Sequence, residues 1–130
     1  MSSIFSKIVN GEIPCYKISE NEKFLAFLDV FPLVHGHILV IPKKEVDYIF
    51  DMSDSDLAEM IVFAKLVAVA QKAAVTCKRI GIAVIGLEVP HAHIHLVPLN
   101  SVNDINFTEA KLKPSSNELR LMAEKIRLHL

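Results

Sequence analysis

A chain of 130 residues with 14 basic and 15 acidic side chains has the length of one compact domain, and its near-neutral charge excludes a broad electrostatic footprint for nucleic acid or an anionic membrane. Hydrophobic residues make up 52% of it, enough for a core without metals or disulfides and rich for a lone monomer. Small anionic ligands stay open, because local donors matter more for them than net charge.

The first predicted element is a short helix over Ile4–Val9, stopped by Asn10-Gly11 with Pro14 beyond. Tyr16 to Ser19 reads as an edge strand, and the Asn21-Glu22 turn lets Phe24 to Val30 pair with it as a hairpin. Phe31-Pro32 breaks that strand. After Gly36 the run His37 to Ile41 reads as a buried strand ended by Pro42. Ser53 is a plausible N-cap for a long helix to about Lys78, with Asp54 and Asp56 near its positive end. The middle of that helix, Ile61 to Ala70, is apolar on nearly every side, so it is expected to pack on its own sheet and on a second subunit. Strands are expected over Ile80–Ile85 and His91–Leu99, separated by Gly86 and Pro90, and an amphipathic helix after Ser115 with Ser116 as its cap. Strands grouped together rather than alternating with helices point to an α+β fold with a mainly antiparallel sheet, as a single domain over residues 1–130.

The longest apolar run, Met60 to Ala70, is interrupted by Lys65 and is too short to span a bilayer. Residues Met1 to Lys7 lack a signal-peptide core, and Cys15 and Cys77 lack metal-ligand spacing. The expectation is a cytoplasmic protein with two reduced thiols.

Chemistry concentrates in the histidines. His91, His93 and His95 alternate, so on a strand they would share one face, about 6.6 Å apart, with Ala92, Ile94 and Leu96 turned to the core. Neutral imidazole both donates and accepts hydrogen bonds, so such a row can free one ring nitrogen as a nucleophile while its neighbours donate to phosphate oxygens. Alternating histidines also suit a metal, with Glu88 as the nearest acidic group, so a metal hydrolase is a second reading. His37 joins the row only if its strand lies beside it. His35 and His129 read as exposed.

The segment His91-Ala92-His93-Ile94-His95-Leu96-Val97 resembles the signature of the histidine-triad (HIT) family. Ile4 to Pro14, Phe24 to Val30 and Gly36 to Lys43 are similar to that family's opening helix and central strands, in the same order, with the closest likeness to its Hint-like branch. The resemblance implies a homodimer joined through its sheets. It also implies a hydrolase that cleaves purine nucleoside phosphoramidates or related α-phosphorus bonds through a nucleotidyl-histidine, with no cofactor or catalytic metal. By position, His93 would be the nucleophile, His91 and His95 would orient it and contact phosphate, and His37 would be the fourth histidine. Asp29 would hold the ribose. Ile4, Phe5, Ile8, Phe27 and Val30 would wall the base pocket, with Gly86 and Glu88 close by. A nucleotide-binding interaction module without useful turnover and a dinucleoside polyphosphate hydrolase are the alternatives.

The chain departs from the family before the triplet. The strand ending at Ile85 runs almost directly into Gly86–Pro90, the usual asparagine is missing, and Leu87 replaces the usual glutamine. Some relatives hold a structural zinc with two cysteines of the opening helix and a later histidine. Ser3, Ser6 and Glu45 stand there here, so no zinc is expected.

Overall fold

The computed structural model describes residues 2–130. Helix α1 is Ile4–Val9, with the Ser3 hydroxyl accepting from the Ser6 N–H as its N-cap. Strands β1 (Lys17–Glu20), β2 (Phe24–Leu28) and β3 (Ile38–Pro42) follow, then the long helix α2 (Asp54–Ala74), strands β4 (Arg79–Ala83) and β5 (Ile94–Leu99), and helix α3 (Ser116–Arg127). The five strands form one antiparallel sheet in the order β1-β2-β3-β5-β4, as the α+β reading required.

Several boundaries move for local reasons. β2 stops at Leu28, not Val30, because the Asp29 carboxylate accepts from the Phe31 N–H and turns the chain. Pro42 lies inside β3 rather than after it. It pairs with Phe24 at the strand's end, beyond the stretch that β5 reaches, so its missing N–H costs no ladder bond. α2 ends at Ala74, four residues early, where β-branched Val75 turns extended. Ser115 rather than Ser116 caps α3, in a reciprocal capping box with Glu118. The largest change concerns the triplet: β5 begins only at Ile94, so His91 and His93 stand in the segment leading into the strand. A single three-histidine row on a strand face is therefore corrected to one strand histidine and two that precede it.

Strand alternation assigns the two faces of the sheet. Phe24, Ala26, Leu28, Ile38, Val40, Ile94 and Leu96 point to α2 and α3 and form the main core with Met60, Phe63, Val67 and Ile126. Leu25, Phe27, Leu39 and Ile41 point the other way, toward Phe5 of α1. His37 and His95 share this second face by parity. α2 is apolar beyond its core side: Ile61, Val62, Leu66 and Val69 are all exposed. No described helix is long and apolar enough to cross a membrane.

Gln71 ties α2 to the strands that carry the site. It is fully buried, and its amide nitrogen donates to the Gly36 carbonyl at 2.7 Å and the Leu96 carbonyl at 2.9 Å. Gly36 has φ +91°, and a Cβ there would meet Val75 Cγ2 at 2.8 Å, so glycine is required just before His37. Replacing Gln71 by Leu leaves two buried carbonyls without this donor and should lower unfolding free energy by about 1–3 kcal/mol. Urea denaturation of the variant beside the parent protein measures it.

Candidate active site

The loop between β2 and β3 is folded around one imidazole. The Asp29 N–H donates to the His37 carbonyl at 3.0 Å, and the Leu33 N–H donates to His37 Nδ1 at 3.1 Å. A backbone N–H can only donate, so His37 Nδ1 is an acceptor and the proton of the neutral ring sits on Nε2. That Nε2–H faces His95 Nδ1 at 3.0 Å. His95 Nδ1 is then the acceptor, and the His95 proton is placed on Nε2, on the side of the ring away from His37.

Burial first, and then neighbouring His95, Lys111 and His93, push the His37 basicity down to about 3. Burial, His93 and Lys111 push His95 down to about 4. Both rings are thus neutral at neutral pH, and the direction of the hydrogen bond between them is settled by the Leu33 amide.

The same reasoning orients His93. Its Nδ1 lies 2.7 Å from the His91 carbonyl, which can only accept, so the neutral ring carries its proton there and leaves Nε2 a bare lone pair. The Phe5 ring stands edge-on at 5.0 Å on one side of His93 and the His95 ring at 4.9 Å on the other. Phe107 closes the far end, 4.7 Å from His95 and 6.4 Å from His37. The order Phe5, His93, His95, Phe107 is therefore a line of rings in which two imidazoles are bracketed by phenyl groups.

His91 is spent internally. Its Nε2 donates to the Pro42 carbonyl at 2.7 Å, and its Nδ1 accepts from the Ser3 hydroxyl at 2.8 Å. Neither ring nitrogen is free in this arrangement, and the carbonyl of the same residue holds His93. Glu45 completes the cluster, accepting from the Ser3 N–H at 2.6 Å and the Ser6 hydroxyl at 2.7 Å, which draws its carboxyl down to about 2. Ser3, Ser6, Glu45 and His91 do come together, as the positions of a metal in some relatives would, but two hydroxyls and a carboxylate already satisfied by one another do not fit a zinc ion.

Asp29 is largely buried beside this row, its Oδ2 3.8 Å from His37 Nε2, and burial raises its carboxyl despite the Phe31 N–H. The ligand atoms of Asp29, His37 and His95 lie within 4.8 Å of one another, a spacing a cation could use. The hydrogen bonds argue against it: His37 Nε2 carries a proton as long as Leu33 donates to Nδ1, and a metal ligand needs a lone pair.

Other expected residues divide. Phe5 and Phe27 are buried in mutual contact at 5.7 Å, and Ile8 packs against them. Ile4 and Val30 are exposed, at the margin. Gly86 and Glu88 lie on an exposed loop, and Glu88 makes no ion pair among the described residues, whereas Asp29 lies beside His37. Phe107 and Lys111 were not anticipated. They lie in the segment between β5 and α3, which is long for a passive connection and offers no periodic signal.

A HIT domain model matches residues 10–102. The chain belongs to the HIT family. It is 38% identical over 100 residues to an adenosine 5′-monophosphoramidase of Schizosaccharomyces pombe, covering 75% of this chain and 74% of that one. Among solved structures, a HIT-like protein involved in cell-cycle regulation from Bartonella henselae superposes with TM-score 0.87 at 29% identity, over 99% of this chain and 96% of that one. A zinc-bound histidine triad family protein from Mycobacterium smegmatis superposes with TM-score 0.81 at 27% identity, over 99% and 93%. The HIT triplet of this chain thus spans two local structures: His91 and His93 in the lead-in, His95 in the strand.

Neutral buried histidines make stability pH-dependent with a definite sign. Their folded values, about 3 and about 4, lie below the ordinary histidine value near 6.5, so the unfolded chain binds more protons at mildly acidic pH and stability falls as pH falls. Between pH 6 and 5 the loss should be on the order of 1 kcal/mol per pH unit for each histidine. Urea midpoints measured from pH 7 to 5 should fall, and the His95→Asn protein should show a shallower slope over the same range.

Proposed function

We propose that this chain is a nucleotide hydrolase that cleaves purine nucleoside phosphoramidates, or related bonds at an α-phosphorus, through a nucleotidyl-His93 intermediate. The observation that carries the reading is the His91 carbonyl on His93 Nδ1, which places the proton of the neutral ring there and leaves Nε2 with a lone pair. The monophosphoramidase name of the fission-yeast relative supports the reaction class.

His93 Nε2 attacks phosphorus while the P–N bond breaks. The amine leaves with a proton taken from water, and the hydroxide equivalent so formed is consumed when water attacks the nucleotidyl-histidine and returns the lone pair to His93. His95 Nε2–H acts as a fixed hydrogen-bond donor toward the phosphoryl oxygens, not as an acid, because burial keeps its ring neutral. His37 holds the tautomer of His95, and His91 orients His93 through its carbonyl. Asp29 takes the ribose hydroxyls, and Phe5, Phe27, Ile8, Ile4 and Val30 form the base pocket.

We further assign the working form as a cytoplasmic homodimer of single-domain subunits. β4 is an edge strand, and beside it the apolar face of α2 continues into exposed Phe50, Ile82 and Ile85. An unpaired edge next to an apolar patch is what a sheet-extending partner covers. Sedimentation at micromolar concentration should show a dimer, and Leu66→Glu should shift it to monomer; a monomer for the parent protein would refute the assignment.

A panel of adenosine and guanosine phosphoramidates, with diadenosine polyphosphates as comparators, tests the activity. Phosphoramidates should turn over fastest. His93→Ala should lower turnover on the order of a thousandfold or more while nucleotide affinity stays near that of the parent. Binding without turnover of any member would favour the interaction-module reading, and loss of activity to a chelator would favour a metal.

A further inference from the structure

The charge of the site does not balance with the residues the mechanism uses. His37 and His95 are neutral, and Asp29 brings a carboxylate. A phosphate placed over His93 adds negative charge near that carboxylate and against buried imidazoles, which is unfavourable unless a cation is near. The loop preceding the triplet supplies none: Gly86, Leu87 and Glu88 carry no positive charge.

The segment between β5 and α3 does. Its Phe107 ring packs on His95, and Lys111 Nζ stands 5.7 Å above that ring while donating to the Phe107 carbonyl at 2.8 Å. The next residue is pinned beside the Asp29 turn, with the Leu112 N–H donating to the Pro32 carbonyl at 2.9 Å. Lys111 is thus held at the end of the ring line, and its field is felt by Asp29, His37 and His95 together, the one Lys or Arg of the described residues that acts on all three. Its side chain is exposed and held only by carbonyls of its own segment and by the Phe107 ring face, contacts with which an anionic phosphate oxygen would compete.

We propose that Lys111 is the phosphate anchor of this site, its ammonium pairing with a non-bridging oxygen of the substrate's α-phosphate from the Phe107 side. The proposal rests on the nucleotide reading above and adds to it a specificity-determining residue outside the family motif. Lys111 discriminates nucleotides from nucleosides, a task that neutral imidazoles perform only through hydrogen bonds.

The test is equilibrium binding of AMP and of adenosine to the full chain and to Lys111→Gln and Lys111→Arg. AMP affinity should fall roughly tenfold in Lys111→Gln, adenosine affinity should stay within about twofold, and Lys111→Arg should restore most of the AMP affinity. Raising salt should weaken AMP binding to the parent protein more than to Lys111→Gln. Equal losses for both ligands would mean that the variant only disturbs the Phe107 loop, and no loss for AMP would mean that the ammonium stays on the surface; either overturns the anchor while leaving the nucleotide reading intact. A parent protein that binds neither ligand overturns both, and is recognised before any variant is made.

Discussion

A carbonyl oxygen has no proton to give, and the state of His93 follows from that. The His91 carbonyl forces the proton of the neutral His93 ring onto Nδ1, so the nitrogen facing the cleft is a bare base. The Leu33 amide, which can only donate, does the converse to His37 and through it fixes the proton of His95. Main-chain groups at two places therefore decide the tautomers of three side chains, and the rest of the fold holds those groups still. Gln71 reaches from α2 to the carbonyls of Gly36 and Leu96, one just before His37 and one just after His95. The helix behind the sheet thereby ties together the two segments whose histidines meet on its front.

The front face is built from short, local pieces. α1 has six residues, fewer than an isolated helix needs, and is held by the ring of Phe5 against Phe27 and His93 and by the serine cap that also reaches His91. The N-cap hydroxyl of Ser3 serves two purposes: it accepts from the Ser6 amide and donates to His91 Nδ1. Anything that frays α1 would free the His91 ring, and with it the carbonyl that orients His93. The opening helix is in this sense part of the active site's support.

Much of this was legible in the chain. The apolar runs over Phe24–Leu28 and Ile38–Ile41, the glycine before His37, and the cap Ser53 are local signals, and each element formed within a few residues of its expected place, α3 one residue ahead of its expected cap. The proximity of His37 to His95 depended on strand order, which periodicity does not encode; the family resemblance, not the pattern, put them together. The start of β5 was misplaced because alternation continues through His91 and His93 while the ladder partner does not: β3 pairs only from Ile94 onward. The partners of the His91 ring were not legible for a related reason. Its partners, Ser3 and the Pro42 carbonyl, are distant in sequence, and one is a main-chain atom with no side-chain signature. Phe107 and Lys111 were missed because an irregular segment places its side chains by tertiary contact alone.

The Ser3, Ser6, Glu45 and His91 cluster is closed by hydrogen bonds alone. Each donor has one acceptor: the Ser3 amide and Ser6 hydroxyl go to Glu45, and the Ser3 hydroxyl goes to His91. The carboxylate is held ionised down to about pH 2 by those two donors, so over the neutral range nothing in the cluster changes charge except by protonation of His91 itself. Burial lowers the basicity of that ring, and the Ser3 hydroxyl already occupies its only free lone pair. The support beneath His93 is thus built from two hydroxyls, a carboxylate and an imidazole, with no thiolate among them. What it relies on instead is the entry angle of a single turn of helix, set by one serine and one phenylalanine ring.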